Sequence, residues 1–353
     1  MPVISRAFAP GLPPRARLSR RRGRDVAPRA AVEVPPSPAE RLRRSLAKPG
    51  CVVMPACYDA LGAKLIARSG AFECAFMSGY GVSASRLGDP DVGLASLADV
   101  VDAGAHVCRA AGASVPVVGD GDTGFGGVAN VRRTVESFHR AGFAAVTIED
   151  QVFPKRCAFA GGVRVVSRAE SLARLRAALD ARDDIRSRGG DVLVVARTDS
   201  RLASNVDDGF AEALWRCEAY EDMGADVVYF EGPDGVREME TFNRRVGAAP
   251  TLLAQVEKPG REILDATTCA ELGYDAVLFG LTLLSASAAA MERTLRAMGE
   301  GGRHPTAEGA DATLLPFDEL YDAVGFNQHY AAEERYDPSR FEDWERTRGG
   351  DGA

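Results

Sequence analysis

Three acids and an arginine stand out as the residues in this sequence that could do chemistry. Asp120 and Asp122 lie two apart in 119–127, GDGDTGFGG, where an apolar run containing Val115, Val117 and Val118 gives way to glycine. In an extended backbone, residues two apart leave the same face, so the two carboxylates converge on one point. Carboxylates that close repel, which requires a cation between them, and hard oxygen ligands favour Mg2+ or Mn2+ over zinc. A solvated Asp/Gly turn is the other reading of the same residues. Glu149 closes the apolar run 144–150, AAVTIED, and Arg197 lies near the end of 191–199, DVLVVARTD. Adjacent parallel strands lie about 4.8 Å apart, so Asp120, Asp122 and Glu149 on consecutive strands make a divalent-metal site. Further polar residues close other apolar runs: Cys57, Asp59, Ser78, Asp150, Asp199, Glu231, Gln255 and Glu257. A single acid at such a place is commonly a helix N-cap, which is the alternative for Asp59, Asp150 and Asp199. The four histidines (His106, His139, His304, His329) fall on helical or late segments, which disfavours a histidine base or a Ser-His-Asp triad.

Those positions need a scaffold that brings strand ends together. From Cys51 to about Met298 a short β-rich run, a polar or glycine-bearing junction and an amphipathic helix recur. The strands are expected at 51–57, 74–79, 115–120, 144–150, 191–199, 226–232, 251–257 and 275–281. Gly70, Gly142, Gly224 and Gly273 read as helix C′ residues. Strand alternating with helix eight times is the pattern of an α/β fold of the parallel (β/α)8 barrel type, whose chemistry sits where the strands finish. An open doubly wound sheet is the alternative, but no G-x-G-x-x-G opens the first helix. Residues 37–48 predict a helix in front of the barrel with Ser37 or a neighbour as N-cap. A helix near 285–298, a Gly-rich break and one helical stretch from Phe317 to about Tyr336 follow. A polar tail runs from Asp337, so the barrel domain is expected over 37–336.

The first 31 residues differ in kind, with eight arginines, one acid and no apolar core. That suits a transit peptide over 1–33, directing the chain to a chloroplast or mitochondrion; a basic anion-binding arm is the other reading. The formal net charge is −7, and about −14 without this leader. An acidic body argues against a nucleic-acid partner, and no apolar run reaches the roughly 18 residues that a membrane span needs. Seven cysteines, odd in number and without a C-x-x-C pair, point to a reducing compartment and no structural zinc.

Four segments in order are familiar: SGYGVSASRLGDPDVG at 78–93, GDGDTGFGG at 119–127, IEDQVFPKRC at 148–157 and VVARTDSR at 194–201. Together they resemble the isocitrate lyase and phosphoenolpyruvate mutase superfamily, with the closer likeness to its smaller members: methylisocitrate lyases, oxaloacetate hydrolases and plastid carboxyvinyl-carboxyphosphonate phosphorylmutases. The resemblance implies that Asp120, Asp122 and Glu149 hold Mg2+ directly or through water, with Asp91 close by. It implies that Ser78, Gly79, Tyr80 and Gly81 bind a substrate carboxylate, that Arg197 faces the oxygen that becomes negative, and that Glu231 and Gln255 border the pocket. It makes 151–166 a mobile loop in which Cys157 is the catalytic acid. It also implies a final helix exchanged between subunits, giving a homodimer or homotetramer.

The chain departs from the lyases in that loop. They carry Lys-Lys/Arg-Cys-Gly-His, whereas 155–159 read Lys-Arg-Cys-Ala-Phe. The expected activity is Mg2+-dependent cleavage of a carbon–carbon bond in a small 2-hydroxy or 2-oxo dicarboxylate or tricarboxylate through an enolate-like intermediate. A P–C bond-forming phosphorylmutase and a catalytically reduced carboxylate-binding barrel are the alternatives.

Overall fold

All eight expected strands form, each inside its expected range. They are β1 Val52–Cys57, β2 Ala75–Met77, β3 Val117–Asp120, β4 Ala145–Glu149, β5 Leu193–Thr198, β6 Val227–Phe230, β7 Leu252–Gln255 and β8 Ala276–Phe279. The computed structural model describes residues 35–299 and 314–342, with Gly302 and His304 between them. The chain divides into Met1–Pro35 and Pro36–Ala353. The leader expected over 1–33 lies outside the described residues, and all eight strands belong to the second unit. Every strand pair is parallel in the order β6-β5-β4-β3-β2-β1-β8-β7. A parallel bridge from Val228 to Thr251 joins the two outer strands, so the sheet closes on itself as a (β/α)8 barrel.

Alternation along the strands sorts side chains into two apolar layers. Met54, Phe76, Val118, Leu193, Val227, Leu252 and Leu278 pack inside the barrel. Val117, Val146, Val194, Val228, Leu253 and Val277 face outward against the helices. A helix in front of the barrel, α1 Pro38–Leu46, plugs the interior with Ala39, Leu42 and Leu46. It starts where expected, because Ser37 Oγ accepts from the Glu40 amide at 3.0 Å. Fully burying each such Leu or Val contributes about 1.5–3 kcal/mol.

Between the strands run α2 Ala60–Ser69, the short α3 Gly79–Val82, α4 Leu97–Ala111, α5 Val128–Ala141, α6 Arg168–Ser187, α7 Gly209–Asp222, α8 Val236–Arg245 and α9 Ala266–Glu271. Asp59 caps α2 by accepting from the Gly62 amide at 2.7 Å, so this acid is structural. Gly70 and Gly142 end their helices in the left-handed conformation. At Gly119 an added Cβ would lie 2.6 Å from both the Phe138 and Phe143 rings, so glycine lets this aromatic pair press against β3 just below Asp120.

After β8 come α10 Thr282–Gly299, α11 Phe317–Val324 and α12 Phe326–Arg335. The single stretch expected over 317–336 is two helices, because Gly325 takes φ 104° and breaks the hydrogen-bond ladder. Asp337 then caps a short turn over Pro338–Phe341. No helix among the described residues is long and apolar enough to cross a membrane.

Candidate active site

The carboxyl ends of the strands surround a cavity of about 310 Å³. Register places Glu149 beside Arg197 and Arg197 beside Tyr229, so three consecutive strands turn polar side chains inward at one level. Asp120 ends β3, and Asp122 does not continue it. The φ of Asp122 is 48°, a left-handed turn rather than the extended backbone expected from the spacing. Hydrogen bonds then hold Asp122 between the other two acids: its amide donates to Asp120 Oδ1 at 3.2 Å, and its carbonyl accepts from the Glu149 amide at 2.9 Å. The Gly79 amide donates to Asp120 Oδ2 at 3.3 Å. A Cβ at Gly79 would stand 2.9 Å from that oxygen, so glycine permits the approach.

A cation does sit among these acids, and it is a side chain that the sequence reading missed. Buried Lys155 forms ion pairs with Asp91, at 2.7 Å, and with Asp122. Burial works against its ammonium, but Asp122, Asp120, Asp91 and Glu149 outweigh burial and hold its pKa well above the ordinary range. The Asp122 carboxyl is pushed up to about 7 by burial, with Lys155 pulling it down and Asp120 and Asp91 adding to the rise. Burial likewise pushes Glu149 well up, against the pull of Arg197.

Among the described residues no three Asp, Glu, His or Cys side chains are gathered closely enough to hold a metal by themselves. The donor set still fits Mg2+, which keeps several waters and needs only one or two carboxylates. Glu149 Oε1 is buried without a partner among the described residues, and Asp91, Asp120, Asp122 and Glu149 gather around the one ammonium of Lys155. Such a set would suit a hydrated hard cation rather than one held by protein atoms alone.

Arg197 is fixed by carboxylates on three sides: Asp199 at 2.7 Å, Glu149 at 3.3 Å and Glu231 at 3.4 Å. Burial opposes its charge, and the carboxylates of Asp199, Glu149 and Glu231 keep it firmly protonated. Burial pushes Glu231 up to about 7 despite Arg197. Asp150 points away from this centre into a buried network with Thr198 at 2.6 Å, Arg216 at 2.8 Å, the Asp199 amide at 3.0 Å and Tyr220 at 3.1 Å. Asp150 and Asp199 therefore cap no helix; they brace the ends of β4 and β5.

The expected carboxylate loop divides its duties. Ser78 and Tyr80 line the cavity, while the Gly79 amide is turned to Asp120 and the Gly81 amide donates to Ser78 Oγ at 3.2 Å. Gln255 borders the cavity, but its amide is committed to the backbone of Leu264 at 2.7 and 2.8 Å, so it fixes the loop after β7.

The loop 151–166 folds over the cavity as a lid. Its base is a bridge from Gln151 to Val165. Gln151, another residue missed in the sequence, holds the Arg156 backbone through both amide atoms at 2.9 and 3.0 Å. Half-buried Cys157 follows and lines the cavity together with Ala158 and Phe159. The Phe159 ring lies 5.0 Å from the Arg261 guanidinium, and its carbonyl accepts from Lys258 at 3.4 Å.

A closed parallel barrel whose strand ends gather acids, a pinned arginine and a lid has the architecture of a barrel enzyme with its active site on the carboxyl face. Residues 42–299 match the phosphoenolpyruvate phosphomutase family. The chain belongs to that family, and thus to the isocitrate lyase and phosphoenolpyruvate mutase superfamily of lyases and phosphomutases. It is 35% identical over 302 residues to 2,3-dimethylmalate lyase of Eubacterium barkeri, covering 86% of this chain and 99% of that one. It is 32% identical over 311 residues to the chloroplastic carboxyvinyl-carboxyphosphonate phosphorylmutase of Arabidopsis thaliana, covering 88% of each. Among solved structures it resembles a phosphonopyruvate hydrolase in complex with oxalate and Mg2+, with a TM-score of 0.71 and 27% identity over 85% of this chain and 99% of that one.

Proposed function

We propose that this protein is a Mg2+-dependent lyase that cleaves the carbon–carbon bond next to C2 of a small 2-hydroxy or 2-oxo dicarboxylate or tricarboxylate. The observation that carries the reading is that one cavity holds Asp120, Glu149, Arg197 and the cysteine-bearing lid together. Asp120, Asp122 and Glu149 would hold Mg2+, which when bound supplies positive charge to offset the oxyanion of an enolate-like intermediate. Arg197 cannot swing away from its three carboxylates, so its charge is already in place when negative charge develops on the substrate. Such preorganised donors are commonly the largest contribution to catalysis. In a 2-hydroxy acid the hydroxyl passes its proton to a carboxylate lining the cavity, that of Glu231, as the C2 carbonyl forms, and the electron pair of the broken bond moves to the departing carbon. The thiol of Cys157 then protonates that carbon.

One observation favours a second reading. Ala158 and Phe159 replace the Gly-His of the lyases, and a phosphonomutase needs no cysteine acid on its lid. The experiment is release of pyruvate, glyoxylate or oxalate from 2,3-dimethylmalate, isocitrate, methylisocitrate and oxaloacetate, with Mg2+, with chelator, and with Mg2+ restored. The lyase reading expects cleavage that chelator abolishes and Mg2+ restores. Conversion of phosphonopyruvate with no release from any of the four acids would replace it with the mutase reading.

A further inference from the structure

Five buried side-chain polar atoms lack a hydrogen-bond partner among the described residues. Four of them are oxygens on β4 and at the end of β6, those of Thr147, Glu149, Tyr229 and Glu231. Glu149 and Glu231 each keep an ion pair to Arg197 through the second carboxylate oxygen. Tyr229 has no second oxygen. Its side chain is almost wholly buried, and it lines the cavity floor with Phe76, Ala254 and Leu278.

A phenylalanine would fill the same place without leaving a buried O–H unpaired, and unpaired buried polar groups are rare because they are costly. The phenol stands beside charge: the Arg197 guanidinium lies 5.8 Å from its ring centre. That arrangement suits an acceptor oxygen arriving with a bound acid.

Resting on the functional reading above, we infer that the Tyr229 hydroxyl contacts substrate, donating a hydrogen bond to an oxygen of the bound acid at the cavity floor beside Arg197. The residue thereby helps to set specificity. It favours acids that present an oxygen at that depth over those that present only an alkyl group, since a site built to bond a polar group is left unpaired by an analogue that lacks it.

The test is Tyr229→Phe, which keeps the ring, with oxalate in the presence of Mg2+ as the probe. Calorimetry on the folded protein is expected to show oxalate binding weakened about ten- to hundredfold, the range that loss of one buried hydrogen bond gives. The Tm of the ligand-free variant is expected to equal or exceed that of the wild type, because an unpaired hydroxyl has been removed. Unchanged oxalate affinity would overturn the assignment. So would a variant that melts below the wild type, since the phenol would then be supporting the fold. A wild type that binds no oxalate with Mg2+ would overturn both this assignment and the functional reading under it.

Discussion

Cys157 borders the cavity through a lid whose next two residues, Ala158 and Phe159, have no proton to exchange. If its thiol protonates the departing carbon, serine in its place keeps nearly the same shape but cannot serve near neutral pH. Cys157→Ser is expected to lower kcat by about 10²-fold or more with KM little changed, as loss of a general acid does. Steady-state kinetics on the cleaved acid checks this; an unaltered kcat would move the acid elsewhere. At this scale the sequence showed the residues that chemistry marks by type. Asp120, Glu149 and Arg197 come together because inward-facing positions of neighbouring strands must meet. Lys155 was passed over because its ion pair to Asp122 depends on how a loop 33 residues further on folds back. Tyr229 was hidden differently: it reads as one more apolar residue in a buried strand, although its spacing of two from Glu231 puts both on the inner face.

The lid and the loop after β7 touch through Phe159, Lys258 and Arg261, though about 100 residues separate them. Arg261 donates to the Pro233 carbonyl at 3.1 Å and faces the Phe159 ring, and Gln255 ties the far end of the same loop at Leu264. Phe159 thus lends the lid an anchor where the lyases carry histidine. Arg261→Ala removes a partly exposed cation–π contact worth about 0.5–1 kcal/mol. The expected result is a two- to fivefold faster amide hydrogen exchange across 155–162, with no comparable change in the strands. Equal exchange in the variant would mean that Phe159 rests on the loop without being held by it. Strands and helix ends were legible because β-branched runs and C′ glycines act locally. The latch was not, because neither loop has a pattern of its own. The turn at Asp122 was misread for a related reason: spacing by two suggests a strand, and only the bonds to Asp120 and Glu149 show that the strand has ended.

After the last strand, α10 has no buried side chain. Met291, Leu295 and Met298 follow one face of it at helical spacing and are 58%, 66% and 49% exposed. Phe317 on α11 is 75% exposed, and no side chain of α12 is buried. Apolar side chains spread over three consecutive helices leave much surface in water for a monomer. We propose that these helices pack against a second copy of the chain, as the resemblance to helix-exchanging relatives led us to expect, and that the protein is a homodimer or homotetramer. Light scattering at micromolar concentration is expected to give twice or four times the chain mass. Replacing Met291 and Leu295 with glutamate would set two charges in the contact, where burying an unpaired charge is costly. The double variant should shift to smaller species, and its Tm should lose the dependence on protein concentration that linked assembly gives the wild type. A wild type that scatters as a monomer at every concentration would leave the apolar face of α10 without this explanation.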